Sequence, residues 1–213
     1  MNDSTNHDSA PRRHWLTPGR DQHFWMALLL LAAGIVLLSA SGEAGREALR
    51  YQRDAILERH EYWRLLTGHL VHGSWQHTWL NLAGLGLIAS LFRGTYAPVH
   101  WCWIGLSSAL CIDLGLLWLM PQLQWYVGLS GVLHGGLAAG AVAWWRMEDG
   151  RLAAALSAVL LGKLVWEQWQ GALPLSGELN VIVNAHLYGA TGGLLAGLLL
   201  MRRLPAPGPD NLK

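Results

Sequence analysis

The sequence predicts an all-α membrane protein, a bundle of six transmembrane helices. Three observations lead there. Only 14% of its 213 residues are charged and 52% are hydrophobic, whereas soluble domains carry about 25% charged residues. Mean hydropathy is +0.24. The apolar residues gather into six runs long enough to cross the hydrocarbon as helices, which satisfy their own backbone groups there. Abundant Trp, 13 residues, suits the two membrane interfaces. A net charge of +1 suggests no polyelectrolyte partner, so membrane lipid is an expected contact and nucleic acid is not.

Taken in order, residues 1–21 are polar, with Arg12, Arg13 and Arg20, and read as a disordered cytoplasmic tail. The first run, 24–40, is read as a retained span. It also has the look of a signal peptide, with Ser39-Ala40-Ser41-Gly42 as a small-residue cleavage site, but the apolar runs that follow favour retention. A long loop, 41–74, is rich in Arg, Glu and Asp, and its Tyr62-Trp63-Arg64-Leu65-Leu66 is an amphipathic piece suited to the interface. Further spans follow at 77–92, 99–119, 130–145, 152–166 and 181–201, and residues 204–213 form a flexible Pro/Gly tail. The membrane domain is therefore 22–203. Cys102 and Cys111 share one run without metal-ligand spacing and read as buried small hydrophobes. No internal repeat is visible, which disfavours a transporter built from inverted repeats.

Lys and Arg bias sets the orientation. The N-terminal tail, Arg93, Arg146 with Arg151, and Arg202 with Arg203 fall on one side, while loops 121–127 and 170–180 carry neither residue. The long first loop, with Arg46, Arg50, Arg53, Arg59 and Arg64, is the exception, and long loops obey the rule less well. Both termini are thus expected in the cytoplasm. In this topology the second, fourth and sixth spans all begin at the outer face, so His77, Ser130 and His186 land at similar depth.

Those three positions carry the chemistry. Ser130 lies in Gly128-Leu129-Ser130-Gly131-Val132-Leu133-His134-Gly135, at the mouth of an apolar, glycine-rich helix. A serine hydroxyl is a weak nucleophile without a base, and His186 is the candidate base. Gly131, Gly135 and Ala139 on one span, and Gly189, Gly193 and Gly197 on another, recur every four residues. Such faces let helices approach closely, though they also occur as ordinary membrane packing. His77 and Asn81 share a helical face and could donate hydrogen bonds to an oxyanion, with the Ser130 N–H as a third donor. Lys163 and Glu167, four residues apart, are read as a structural ion pair, with a substrate contact as the alternative. Asp113 faces either the bundle or a water channel.

Jointly these motifs resemble the rhomboid intramembrane serine proteases. Gly128-Leu129-Ser130-Gly131 resembles the family's GxSG motif, Ala185-His186-Leu187-Tyr188-Gly189 through Gly193 its AHxxGxxxG, His77 through Asn81 its HxxxN, and Trp63-Arg64 its loop pair. The resemblance implies a six-helix rhomboid-like bundle in a bacterial inner membrane and substrates anchored by a transmembrane helix. It implies Ser130 as nucleophile and His186 as base in a dyad without a third acid. The oxyanion hole would be His77, Asn81 and the Ser130 N–H, with Gly128, Gly131 and His134 as neighbours and no metal or organic cofactor. One departure narrows the branch. Where many rhomboids carry a tyrosine that stacks on the histidine, this chain has His134. The Leu-His-Gly ending and Trp166-Glu167-Gln168 are similar to the rhombosortase branch, whose substrates end in a Gly-Gly-like motif, an apolar helix and a basic tail.

Other readings stay open on sequence alone. His77, His134 and His186 on separate helices could ligate haem axially. The serine chemistry equally suits a general rhomboid protease, or a sortase-like enzyme that passes the acyl group to an amine. A rhomboid-like protein that binds helices without cutting them is a further alternative.

Overall fold

The computed structural model describes residues 18–147, 150–172 and 181–203. The expected C-terminal tail, residues 1–17 of the N-terminal tail and most of loop 170–180 lie outside the described residues. Each of the six apolar runs forms one helix: α1 (Pro18–Ala40), α5 (Trp75–Leu91), α6 (Pro98–Leu119), α7 (Ser130–Met147), α8 (Gly150–Gln170) and α9 (Val183–Leu200). By length and hydropathy three of them are sufficient to cross a membrane, over Gln22–Ala40, Pro98–Leu119 and Val183–Leu200. The others are shorter or more polar: α5 holds Gln76, His77 and Asn81, α7 holds Ser130, His134 and Arg146, and α8 holds Arg151, Lys163 and Glu167.

Helix α1 begins at Pro18, ahead of the apolar run and inside the segment read as tail. Proline at a first helical position loses no intrahelical bond, because that N–H has no partner anyway. The helix lies at the rim, touching α5 through a 2.9 Å contact between the Ser39 and Thr78 hydroxyls, and most of its leucines are exposed.

The first loop is folded. It contains α2 (Gly42–Leu49), β1 (Tyr51–Gln52), α3 (Arg53–Leu57) and α4 (Arg64–Thr67). Strand β1 pairs antiparallel with β2 (Trp125–Tyr126), matching Tyr51 to Tyr126 and Gln52 to Trp125. This two-residue ladder is a departure from the all-α expectation. Extended backbone in two neighbouring loops has free N–H and C=O groups, and each loop supplies the other's partners. Arg64, only 7% exposed, donates to the carbonyls of Glu47 at 2.8 Å and Arg50 at 2.9 Å. It thereby satisfies the carbonyls left open where α2 ends. Its neighbours Trp63 and Leu66 face outward, as an interface-lying segment requires.

Helix α9 is the centre of the bundle, packed most extensively on α7 and next on α6. The α7–α9 contact runs through the two glycine faces. A Cβ on Gly131 would fall 2.7 Å from the Ala185 oxygen and one on Gly135 2.6 Å from the Gly189 oxygen. In return, Gly189 and Gly193 aim theirs into the carbonyls of Gly131 and Gly135. The hydrogens in those places therefore point at carbonyl oxygens, a ladder of Cα–H···O=C contacts worth roughly 0.5–1 kcal/mol each. Cys102 is exposed and Cys111 half-buried, so the expectation of two buried cysteines is corrected. The face of α6 that carries Cys102 also presents Trp103 and Leu106 outward.

Gly193→Ala would press a methyl against the α7 backbone, which cannot move aside as a side chain can, and should cost about 1–3 kcal/mol. Gly162→Ala on α8 meets nothing within 4 Å and should be neutral or stabilising by up to about 1 kcal/mol. Thermal melts of both variants in detergent check the pair; equal shifts would mean the helices are not in glycine contact.

Candidate active site

The approach to Ser130 is set by Gly128, which takes a φ of +120°. Its N–H donates to the Gly68 carbonyl at 3.0 Å, and its own carbonyl accepts from the Tyr126 hydroxyl at 2.8 Å. A Cβ here would lie 2.6 Å from the His77 ring. Conformation and space both demand glycine. Ser130 then opens α7, where its N–H has no intrahelical acceptor.

His186 sits in the first turn of α9 and is 5% exposed. Its Nε2 lies 3.0 Å from the Ser130 Oγ. Its Nδ1 lies 2.8 Å from Oε2 of Glu167 on α8. The other carboxylate oxygen, Oε1, is 2.5 Å from the Lys163 Nζ. An ionised carboxylate only accepts, so Nδ1 carries the ring proton and Nε2 turns a lone pair to the serine hydroxyl. The His134 ring stacks on His186 at 4.1 Å and 16°. His134 donates from Nδ1 to the Ser130 carbonyl at 2.7 Å, and its Nε2 is buried without a hydrogen-bond partner.

Of the sequence-predicted residues, Ser130, His186, His134, Gly128, Gly131 and His77 come together at one end of the bundle. His77 lies against Gly128 and meets His72 edge-on at 4.9 Å. Asn81, 3% exposed, is one turn deeper and donates to the His77 carbonyl at 3.1 Å, leaving its second amide N–H uncommitted. Two acids make contacts that the sequence reading did not name. Glu167 does pair with Lys163, but it also touches His186, where the resemblance implied no third acid. The signal was present in the sequence as an acid near the C-terminal end of an apolar helix. Asp113 faces the bundle, with Oδ1 3.3 Å from Nε2 of His69, a loop residue that sequence reasoning did not single out.

His134, Glu167 and His186 place possible ligand atoms within 4.8 Å of one another, yet they fit a cation poorly. Ring lone pairs lie in the ring plane, so two stacked imidazoles aim theirs in parallel rather than at a common point. The Lys163 ammonium, 3.4 Å from the His186 Nδ1, adds repulsion. Nor does a 4.1 Å stack leave room for a macrocycle between the two rings, as axial haem ligation by this pair would need.

The fold and the site together define a helical integral membrane protein with a serine–histidine contact held among its helix ends. Residues 59–203 match the rhomboid domain, well over half of the chain, and the chain belongs to the rhomboid family, whose members are generally intramembrane serine proteases. No curated protein matches it in sequence.

His72, in the loop before α5, is 4% exposed, and burial, helped by the nearby His77, pushes its imidazole down to about 4. Below its ordinary value of about 6.5 the unfolded chain takes up a proton that the folded protein refuses. Stability should therefore fall as pH drops from about 6.5 towards 4, by at most about 3 kcal/mol from this residue. His72→Gln should flatten that part of the curve in melts across pH; an unchanged difference between pH 7 and pH 5 would refute it.

Proposed function

We propose that this protein is an intramembrane serine endopeptidase that cuts substrates anchored by a transmembrane helix, near the outer membrane face. The reading rests above all on the 3.0 Å contact between the Ser130 Oγ and the His186 Nε2 in a member of a family of intramembrane serine proteases. The domain is read as 22–203 with six spans, in a bacterial inner membrane with both termini in the cytoplasm.

In this mechanism the Ser130 hydroxyl passes its proton to Nε2 of His186 while Oγ bonds to the scissile carbonyl carbon. The carbonyl oxygen becomes an oxyanion. The Ser130 N–H, at the positive end of α7, would receive it, with His77 and the free amide N–H of Asn81 as further donors. When the tetrahedral intermediate collapses, the C–N bond breaks and His186 returns the proton to the leaving amine. Water, activated in turn by His186, then hydrolyses the acyl-enzyme. Attack by an amine instead would make the protein a transferase of the sortase kind.

The finer assignment is to the rhombosortase branch, with substrates ending in a Gly-rich motif, an apolar helix and a basic tail. His134 in place of a tyrosine, stacked on His186, supports it, as does Trp166-Glu167-Gln168 at the end of α8. Glycine at the scissile bond fits the same picture, because a peptide entering between packed helices must be extended and slender there.

Co-expression with a reporter carrying that C-terminal signal, followed by mass spectrometry of its new C-terminus, tests both levels. Cleavage beside Gly or Ala is expected, with Ser130→Ala and His186→Ala each reducing it by about 10⁴-fold or more. Cutting of a generic transmembrane substrate alone would overturn the branch and keep the protease. A mass excess on the product would mean transfer to an amine. Full cleavage by both variants would overturn the serine protease itself.

A further inference from the structure

We propose that Glu167 is a positioning residue for His186, so that the site works as a Ser130–His186–Glu167 triad with Lys163 setting the orientation of the carboxylate. The proposal rests on the serine-protease reading above and adds a third member to it.

Three observations carry it. First, Glu167 divides its oxygens: Oε1 accepts from Lys163 at 2.5 Å and Oε2 accepts from the His186 Nδ1 at 2.8 Å. An ion pair serving structure alone would need only the first contact. Second, the acid is buried more deeply than its base. The side chain of Glu167 is 2% exposed and that of Lys163 28%. A carboxylate taken from water needs more than one partner to offset the loss of hydration, and His186 is the second. Third, among the described residues Glu167 offers the one acceptor within hydrogen-bond distance of the His186 Nδ1. Lys163, 3.4 Å away, offers only further donors, which a protonated Nδ1 cannot use.

The consequence is chemical. A carboxylate on Nδ1 keeps the proton there and leaves Nε2 as an acceptor facing Ser130. It also stands beside the imidazolium that forms when His186 takes the serine proton, and that proton goes on to the leaving amine without Glu167 being protonated. Helix α8 is thus tied to α9 through the reacting histidine. His134 holds the opposite role, stacking on the face of the ring and fixing the Ser130 carbonyl.

Glu167→Gln makes a specific test because of Lys163. The ammonium would draw the amide oxygen to itself and turn the NH₂ group toward Nδ1. His186 would then carry its proton on Nε2 and could not accept from Ser130. Purified full-length protein in detergent, with a reporter peptide as substrate, should show kcat reduced about 10²-fold or more, with KM changed less than about threefold. Glu167→Asp, which keeps the charge, should recover at least about tenfold of that loss. The ¹⁵N spectrum of histidine-labelled protein should place the His186 proton on Nδ1 in the wild type and on Nε2 in the Gln variant. Wild-type kcat in a folded Gln variant, or a loss of kcat with the tautomer unchanged, overturns the proposal. Should the Gln variant unfold, the wild-type spectrum decides: a proton on Nε2 of His186 overturns it alone, and one on Nδ1 with partial activity in Glu167→Asp supports it. Fluorophosphonate labelling of Ser130 separates the two readings. Failure of the wild type to label refutes the serine protease, whatever the tautomer.

Discussion

The structure depends on the contact of two helix backbones. Because Gly131 and Gly135 on α7 face Gly189 and Gly193 on α9, each helix presses its carbonyls onto the other's α-carbons. Lipid gives helices little hydrophobic reason to associate, so association has to come from close packing and polar contacts. The glycines supply the first of these and thereby fix the second. The first glycine of each face adjoins the site: Gly131 follows Ser130, and Gly189 lies one turn below His186. At this separation the 3.0 Å approach of serine and histidine follows from the backbone contact. A wider crossing would leave two short polar side chains facing a gap.

Polar groups at such depth must find partners, and the site is arranged so that nearly all do. The Ser130 carbonyl accepts from His134, the Ser130 hydroxyl meets His186, His186 meets Glu167, and Glu167 meets Lys163. The chain of contacts begins at the mouth of α7 and ends on a lysine that is partly exposed. The carboxylate's charge is thus balanced by a cation that retains some hydration, which is less costly than burying both ions fully. Among the described residues the orphaned Nε2 of His134 breaks the pattern, as do both ring nitrogens of His72 beside His77.

How much of this is legible in the sequence differs residue by residue. Ser130 and His186 can be read because their chemistry is local: a serine between glycines, a histidine leading a glycine stripe, both at helix mouths. The glycine faces are legible for the same reason, since a period of four is a property of one helix. The partnership of Glu167 with His186 is not, because an i,i+4 lysine already accounts for an acid at that position, and only the packing of α8 against α9 shows a second claimant. Asp113 is a similar case, its partner His69 arriving from a loop more than forty residues upstream. The β1–β2 ladder is illegible for a different reason. Two residues per strand carry no periodicity, and their pairing is set by where the loops are brought by the helices.

The loops in turn act on the site. The backbone of Gly68, just after α4, accepts from Gly128, while Tyr126, in the β2 strand, donates to the carbonyl of the same glycine. Arg64 anchors this loop by bonding the carbonyls where α2 ends, so the segment around α4 is tied down near the residue two positions before Ser130. His77 completes the enclosure, and its ring occupies the space that any side chain at position 128 would need. The mouth of α7 is therefore held from three directions: by α9 through the glycines, by the first loop through Gly68, and by α5 through His77. A residue at a helix terminus would otherwise fray with the end of the helix. Contacts from three sides thus hold the Ser130 N–H and Oγ in place, the preorganisation that the proposed reaction would require for an oxyanion.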